Sequence, residues 1–467
     1  MTTLIIVLWH HRLNFHGYCK PTTNPSFKVV VVGPDNSIND DACVDVHYQI
    51  QPAFGSRNHC HALLIEKVRE LVSNYGLTRR IIATFEAELQ YLVAKIRFEL
   101  GIEGFLPDHV EQILYMKEMK LIARRNGLMT LRQTIISLKA EPSLWLRRIA
   151  TQLDGFPVFV RPCNVKHGHK ITRYSINNYD EMQSWIKIIS STKYFLAILT
   201  DENFKKINPI FVCFKKNKLE VENKYDSEFI VEECLRNGNE FVSLYSSSGF
   251  ICTIARVSAE RTLFESIRDQ KPYAYEYLTV DQTRNILPGV ESFVLRTAKS
   301  LPVLPNSSFV FIKGFYKNHN DIYLLGTYLQ PLCDSHRRLI EAANCGVGWE
   351  ILLLNCMAEV LQTANQSYRT EKSTGNHHVL VNFPSIEGVL LHQTTITKRN
   401  SSMRVIWKAC EGQELTSCIS SDDNILQIFL SNPDRAKVIA DVQDLIENTY
   451  IAVDRLVDKH SFYSDIR

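Results

Sequence analysis

The 467 residues exceed what one hydrophobic core usually organises, so two to four domains are expected. Hydrophobic residues make up 45% and charged residues 22%, and the formal charge of +3 is too small to argue for a nucleic-acid or membrane partner. No 18-residue apolar run is present, and the twelve cysteines are scattered without a CxxC pair. This excludes an evident membrane span, zinc ribbon or dithiol motif and suits reduced thiols in the cytoplasm.

The apolar run at residues 4–9 has no basic stretch before it and no small-residue cleavage site after it. It reads as a first buried strand rather than a secretion signal. Residues 27–33, FKVVVVG, form a buried parallel strand, and 80–85 form another. Between and after them lie helices at 63–75, with Leu64, Val68, Leu71 and Val72 on one face, and at 88–100, stopped by Gly101. This alternation predicts an open, doubly wound sheet over residues 1–108.

Residues 109–192 hold a helix at 110–126 capped by Gly127, a short strand at 157–160 ending in Arg161-Pro162, and a helix at 178–190. Residues 193–365 are mixed. Strands are expected at 228–231, 308–315 and 321–329, a hairpin at 240–246 and 250–257, and an apolar helix at 349–364. Residues 366–467 open with a polar loop. Strands at 378–383, 388–394 and 402–409 follow, then a terminal helix at 435–457. The His167-x-His169, His59-Cys60-His61 and His377-His378 clusters lack further ligands and read as polar loop residues.

ILYMKEMKLIARRNG at 113–127, FPVFVRP at 156–162 and FIVEECLRNGNEF at 229–241, in this order, resemble the ATP-grasp enzymes and, within them, the carnosine-synthase and L-amino-acid-ligase group. ILYMKEMKLIARRNG, residues 113–127, resembles a helix carrying a phosphate-binding lysine, here Lys117 or, one turn on, Lys120. FPVFVRP, 156–162, is similar to an apolar strand ending in Lys-Pro, with Arg161 keeping the charge on a planar fork. FIVEECLRNGNEF, 229–241, resembles a strand, an adenine-binding hinge and Gly-x-Glu. There the resemblance implies that Glu233 accepts from the adenine amino group and that hinge backbone around Leu235 pairs with the adenine edge. It also gives Glu240 the ribose hydroxyls and Gly238 the turn between the two acids. Glu233 and Glu240 are therefore expected to face one cleft. Weaker likeness covers residues 80–104, with Gly101 and Gly104, and the lid-like segment 382–391.

The chain departs from the resemblance where magnesium should bind. Gly326, Tyr328 and Gln330 fall where the family has Glu, Asn and Arg, and Lys313 stands near the place of the preceding acid. Glycine and lysine offer no hard oxygen, so ATP is the implied cofactor and magnesium is in question. The loop 163–170, CNVKHGHK, is bulkier than a small-residue phosphate turn, though its Lys166 and Lys170 keep positive charge.

The implied architecture is α/β and α+β. It comprises a Rossmann-like N-terminal domain (1–108), a two-part ATP-grasp domain (109–192 and 193–365) and a lid-like C-terminal α+β extension (366–467). The resemblance implies an ATP-binding carboxylate–amine ligase that joins amino acids through an acyl phosphate. Its partners would be a nucleotide and a small amino-acid-like substrate. The alternative is a catalytically impaired pseudoenzyme that binds nucleotide or a metabolite and acts through interaction, and a ligand-free scaffold is the third reading. Catalytic residues, substrate and oligomeric state are not assigned by the sequence.

Overall fold

A computed structural model of the chain describes residues 2–8, 13, 27–34, 44–50, 57–74, 79–137, 141–163, 174–191, 228–247, 249–301, 308–362, 375–397, 399–418 and 420–454. The loop carrying Lys166, His167, His169 and Lys170 lies outside them.

β1 (Thr2–Val7), β2 (Phe27–Gly33), β3 (Val46–Gln49) and β4 (Arg79–Ala83) form a parallel sheet in the order β3-β2-β1-β4. Its side chains alternate between two cores, as the strand period of two requires. Ile5, Val7, Val30, Val32 and Ile82 pack with α1 (Arg57–Asn74) and α2 (Ala87–Leu100). Leu4, Ile6, Val29, Val31 and Ile81 join the main core instead. The sheet is open and parallel as expected, but α1 and α2 share one face. Among the described residues the side chains of the other face join the main core of the protein.

The single helix expected over 110–126 is two helices, α3 (Pro107–Leu114) and α4 (Met116–Arg125). Between them Tyr115 leaves helical geometry at φ −84° and ψ 100°. The Met116 N–H donates to the Cys163 carbonyl at 3.2 Å, a partner outside the helix that aligns α4 with the next sheet. That sheet is antiparallel: β5 (Gln133–Ser137), β8 (Glu228–Glu233), β6 (Val158–Pro162) and β7 (Tyr174–Ile176), in this spatial order. α5 (Pro142–Gln152) and α6 (Tyr179–Ser191) cover one face of it around Trp145 and Trp185. Because β8 is a central strand here, the sheet crosses the division expected at residue 192.

The expected hairpin is β9 (Asn239–Ser246) and β10 (Gly249–Arg256), within an eight-stranded sheet. Its spatial order is β13 (Ile322–Tyr328), β12 (Phe309–Tyr316), β9, β10, β11 (Tyr273–Leu278), β14 (His377–Pro384), β18 (Asn424–Asn432) and β16 (Ser402–Trp407). α7 (Leu263–Arg268), α8 (Val280–Ile286) and α9 (Val290–Ser300) lie between β10 and β12 in the chain, and α10 (Asp334–Ala343) and α11 (Trp349–Gln362) between β13 and β14. The terminal helix is shorter than its apolar spacing suggests. α12 (Arg435–Asn448) stops at the extended Thr449, and β19 (Ala452–Asp454) then pairs with β15 (Gly388–His392). β17 (Glu414–Leu415) takes the other side of β15. Sheet pairing thus outweighs helical periodicity over the last turns. No helix among the described residues is long and apolar enough to cross a membrane.

Candidate functional site

The four-stranded sheet and one end of the eight-stranded sheet bound a cleft of about 320 Å³. Phe159, Arg161, Glu232 and Leu235 line it on one side, with Glu240, Lys313, Tyr328 and His336 opposite. Phe159 on β6 meets Phe264 on α7 edge to face, ring centroids 5.8 Å apart, joining the two sides.

Strand phase decides which acid of Glu232-Glu233 enters. On β8, Phe229 and Val231 pack with Trp145 and Trp185, whereas Ile230 belongs to the main core. Glu232 shares the face of Ile230 and reaches the cleft, while Glu233 shares the face of Val231. The Glu233 carboxylate instead accepts from the Arg132 N–H at 2.7 Å and Arg132 Nε at 2.8 Å, and it does not line the cleft. The expectation that Glu233 and Glu240 face one cleft is therefore corrected. Glu232 and Glu240 do so.

The lysines follow the same logic. Lys117 Nζ lies 3.4 Å from Glu228 and does not line the cleft. One turn further along α4, Lys120 is fully buried and ion-paired with Glu232, which also holds Arg161 at 2.5 Å. Arg161 Nη2 donates to the Leu325 carbonyl at 3.1 Å, tying β6 to β13. Arg161 and Glu232 are 1% and 3% exposed, and ionised groups at that depth persist only with charged or hydrogen-bonding partners. Helix α4, strand β6 and strand β8 thus each contribute one member of a buried network at the cleft wall.

Leu235 lines the cleft where the chain passes from β8 to β9. The left-handed residue of this turn is Asn237, at φ 58°, not Gly238. Gly238 meets a different constraint. A Cβ there would stand 2.4 Å from the Phe315 ring and 2.6 Å from the Tyr316 carbonyl. The glycine provides close approach to β12 rather than a sharp turn.

On the opposite wall Glu240 accepts from the Leu263 N–H at 3.2 Å and pairs with Lys313 at 2.6 Å. Lys313 and Gly326 are register partners across β12 and β13. Tyr328, two residues on and on the same face, folds over the glycine, where a Cβ would lie 2.8 Å from its hydroxyl. These residues do not fit magnesium. The paired strands offer an ammonium, a bare backbone and a phenol where carboxylate oxygens are required. Among the described residues, no group of three His, Cys, Asp or Glu is placed to hold a metal ion. His377 lies 3.3 Å from Glu276 and 3.4 Å from Gln282, away from this cleft.

Sequence reasoning passed over His336 on α10. Its ring is 3% exposed, stacks edge to face on Tyr275 at 4.8 Å, and has no hydrogen-bond partner for either nitrogen. Burial first, and then the charge of Lys313, push its pKa down to about 3. The unfolded imidazole titrates near 6.5, so between the two values the unfolded chain binds the additional proton. This contribution to stability is complete above about pH 6.5 and is lost as pH falls towards 3, reaching roughly 2 kcal/mol near pH 5. Urea unfolding at both pH values should show that loss in the parent chain and a smaller one in His336→Leu. Equal losses would mean that the imidazole is solvated.

No protein-family model matches the chain, and no curated protein matches it in sequence. Solved structures do match in architecture. L-amino acid ligase from Bacillus licheniformis superposes with a TM-score of 0.58 at 11% identity, covering 97% of this chain and 99% of that one. The biotin carboxylase domain of Hydrogenobacter thermophilus 2-oxoglutarate carboxylase, solved with MgADP, ADP and bicarbonate, gives 0.51 at 14% identity over 91% and 86%. N5-carboxyaminoimidazole ribonucleotide synthetase from Thermotoga maritima gives 0.51 at 11% identity over 97% and 100%. The fold is therefore that of the ATP-grasp enzymes. The match to the L-amino acid ligase structure is one of fold, and it extends over nearly the whole of both chains.

Proposed function

We propose that the cleft is a nucleotide site and that the chain is an ATP-binding protein of the carboxylate–amine ligase type. The observation that carries this reading is the convergence of the Lys120–Glu232–Arg161 network, the Leu235 crossing and the Glu240–Lys313 pair around one cleft. Backbone groups near Leu235 would receive the adenine edge, Glu240 a ribose hydroxyl and Arg161 the phosphate side, with Lys120 supporting the wall from behind Glu232. Glu232 would take the place at the hinge expected for Glu233. The ligase reading follows the architecture shared with the L-amino acid ligase and would have amino acids joined through an acyl phosphate.

A second reading has its own support. Glu232 and Glu240 are both engaged by cations, and the β12–β13 positions carry Lys313 and Gly326. Phosphoryl transfer depends on neutralising the charge that develops on the transferred group. A chain with this wall would bind nucleotide and turn it over very slowly, acting through interaction. Calorimetric titration with ATP, followed by phosphate release in the presence of mixed amino acids, separates the readings. Binding with negligible release favours the pseudoenzyme, binding with amino-acid-dependent release favours the ligase, and no binding contradicts both.

A further inference from the structure

We propose that the cleft takes the phosphates of a nucleoside di- or triphosphate without a divalent cation, the ammonium of Lys313 being the positive charge that the chain supplies instead. This rests on the nucleotide reading above and adds to it the form in which the ligand is bound.

The acids that line the cleft are already committed. Glu232 carries Lys120 and Arg161, Glu240 carries Lys313 and the Leu263 N–H, and Asp422 accepts from the Asp334 N–H at 2.8 Å. A divalent cation entering here would have to displace these partners and sit beside an ammonium of like sign. Lys313 is buried on an interior strand of the sheet, between β9 and β13, so its charge is fixed in place before any ligand arrives.

Two further groups point to a ligand at this end. The Tyr328 hydroxyl and both ring nitrogens of His336 are buried at the cleft without hydrogen-bond partners. A neutral imidazole and a phenol each bring one donor and add no competing charge, which suits phosphate oxygens. Leaving buried donors unsatisfied is costly, and the oxygens of a bound anion would accept from the Tyr328 hydroxyl and from the protonated nitrogen of His336.

The test is ADP titration of the full chain in EDTA and in millimolar magnesium, by calorimetry. The expected result is the same affinity in both, within about threefold, because the resident charge does not depend on the metal. Lys313→Met combined with Glu240→Gln removes both members of the ion pair and strands neither charge. Measured against Glu240→Gln alone, which already lacks the ribose carboxylate, it should weaken ADP by about 10- to 100-fold, the effect of losing a charge-assisted contact, while Lys313→Arg should retain binding in EDTA. Affinity that collapses in EDTA would overturn the proposal and leave the nucleotide site standing. So would unchanged binding by a double variant with native circular dichroism. Absence of binding in either buffer would overturn both. If the double variant does not fold, the EDTA comparison on the parent chain decides the matter.

Discussion

Glu232→Ala is expected to cost the fold about 3–5 kcal/mol, because it removes the carboxylate that two buried cations share. Lys120 comes from α4 and Arg161 from β6, and Glu232 on β8 is the group that brings them together. The adjacent Glu233→Ala provides the contrast. Its partner Arg132 is half exposed, and such pairs are screened by solvent. Urea unfolding should show a large drop in midpoint for the first variant and an almost unmoved midpoint for the second. Equal effects would mean that the two acids occupy equivalent environments and that β8 is out of phase with the description given above.

Gly326→Glu should destabilise the chain by roughly 1–3 kcal/mol, and adding Tyr328→Asn should recover most of the loss. The new Cβ would lie 2.8 Å from the Tyr328 hydroxyl and 3.1 Å from Met116 Cε. The phenol and the Met116 methyl must both give way to the new side chain, so the single substitution overpacks the site. Asparagine removes the ring and the conflict with it. The double variant also sets a carboxylate directly across from Lys313. Thermal melting of the parent, the single variant and the double variant tests this coupling. An additive result would show that Gly326 and Tyr328 do not constrain each other.

Much of the architecture was legible because its signals are local. Apolar runs marked β2, β4, β9 and β10, and the Arg161-Pro162 strand end and the 229–241 segment both fall at the cleft. What was not legible depends on long-range pairing. In FIVEE, Phe229, Ile230 and Val231 are all apolar because the strand is buried on both faces. Alternation therefore says nothing about whether Glu232 or Glu233 faces the cleft. The choice between Lys117 and Lys120 turns on the break at Tyr115, which is set by the carbonyl of Cys163 on a different element. β11 and β18 lie inside the eight-stranded sheet, and β19 exists only because β15 has an edge to pair with. His336 sits among ordinary helical residues, and only tertiary packing shows it buried beside Lys313.

Photolabelling with 8-azido-ADP, followed by peptide mapping, tests the nucleotide site most directly. Label is expected on peptides from residues 229–241 and 309–332, with unlabelled ADP competing it away and the same pattern in EDTA and in magnesium. Label confined to a second cavity, lined by Arg337, Arg404 and His378, would contradict the nucleotide site, as would label that ADP does not displace.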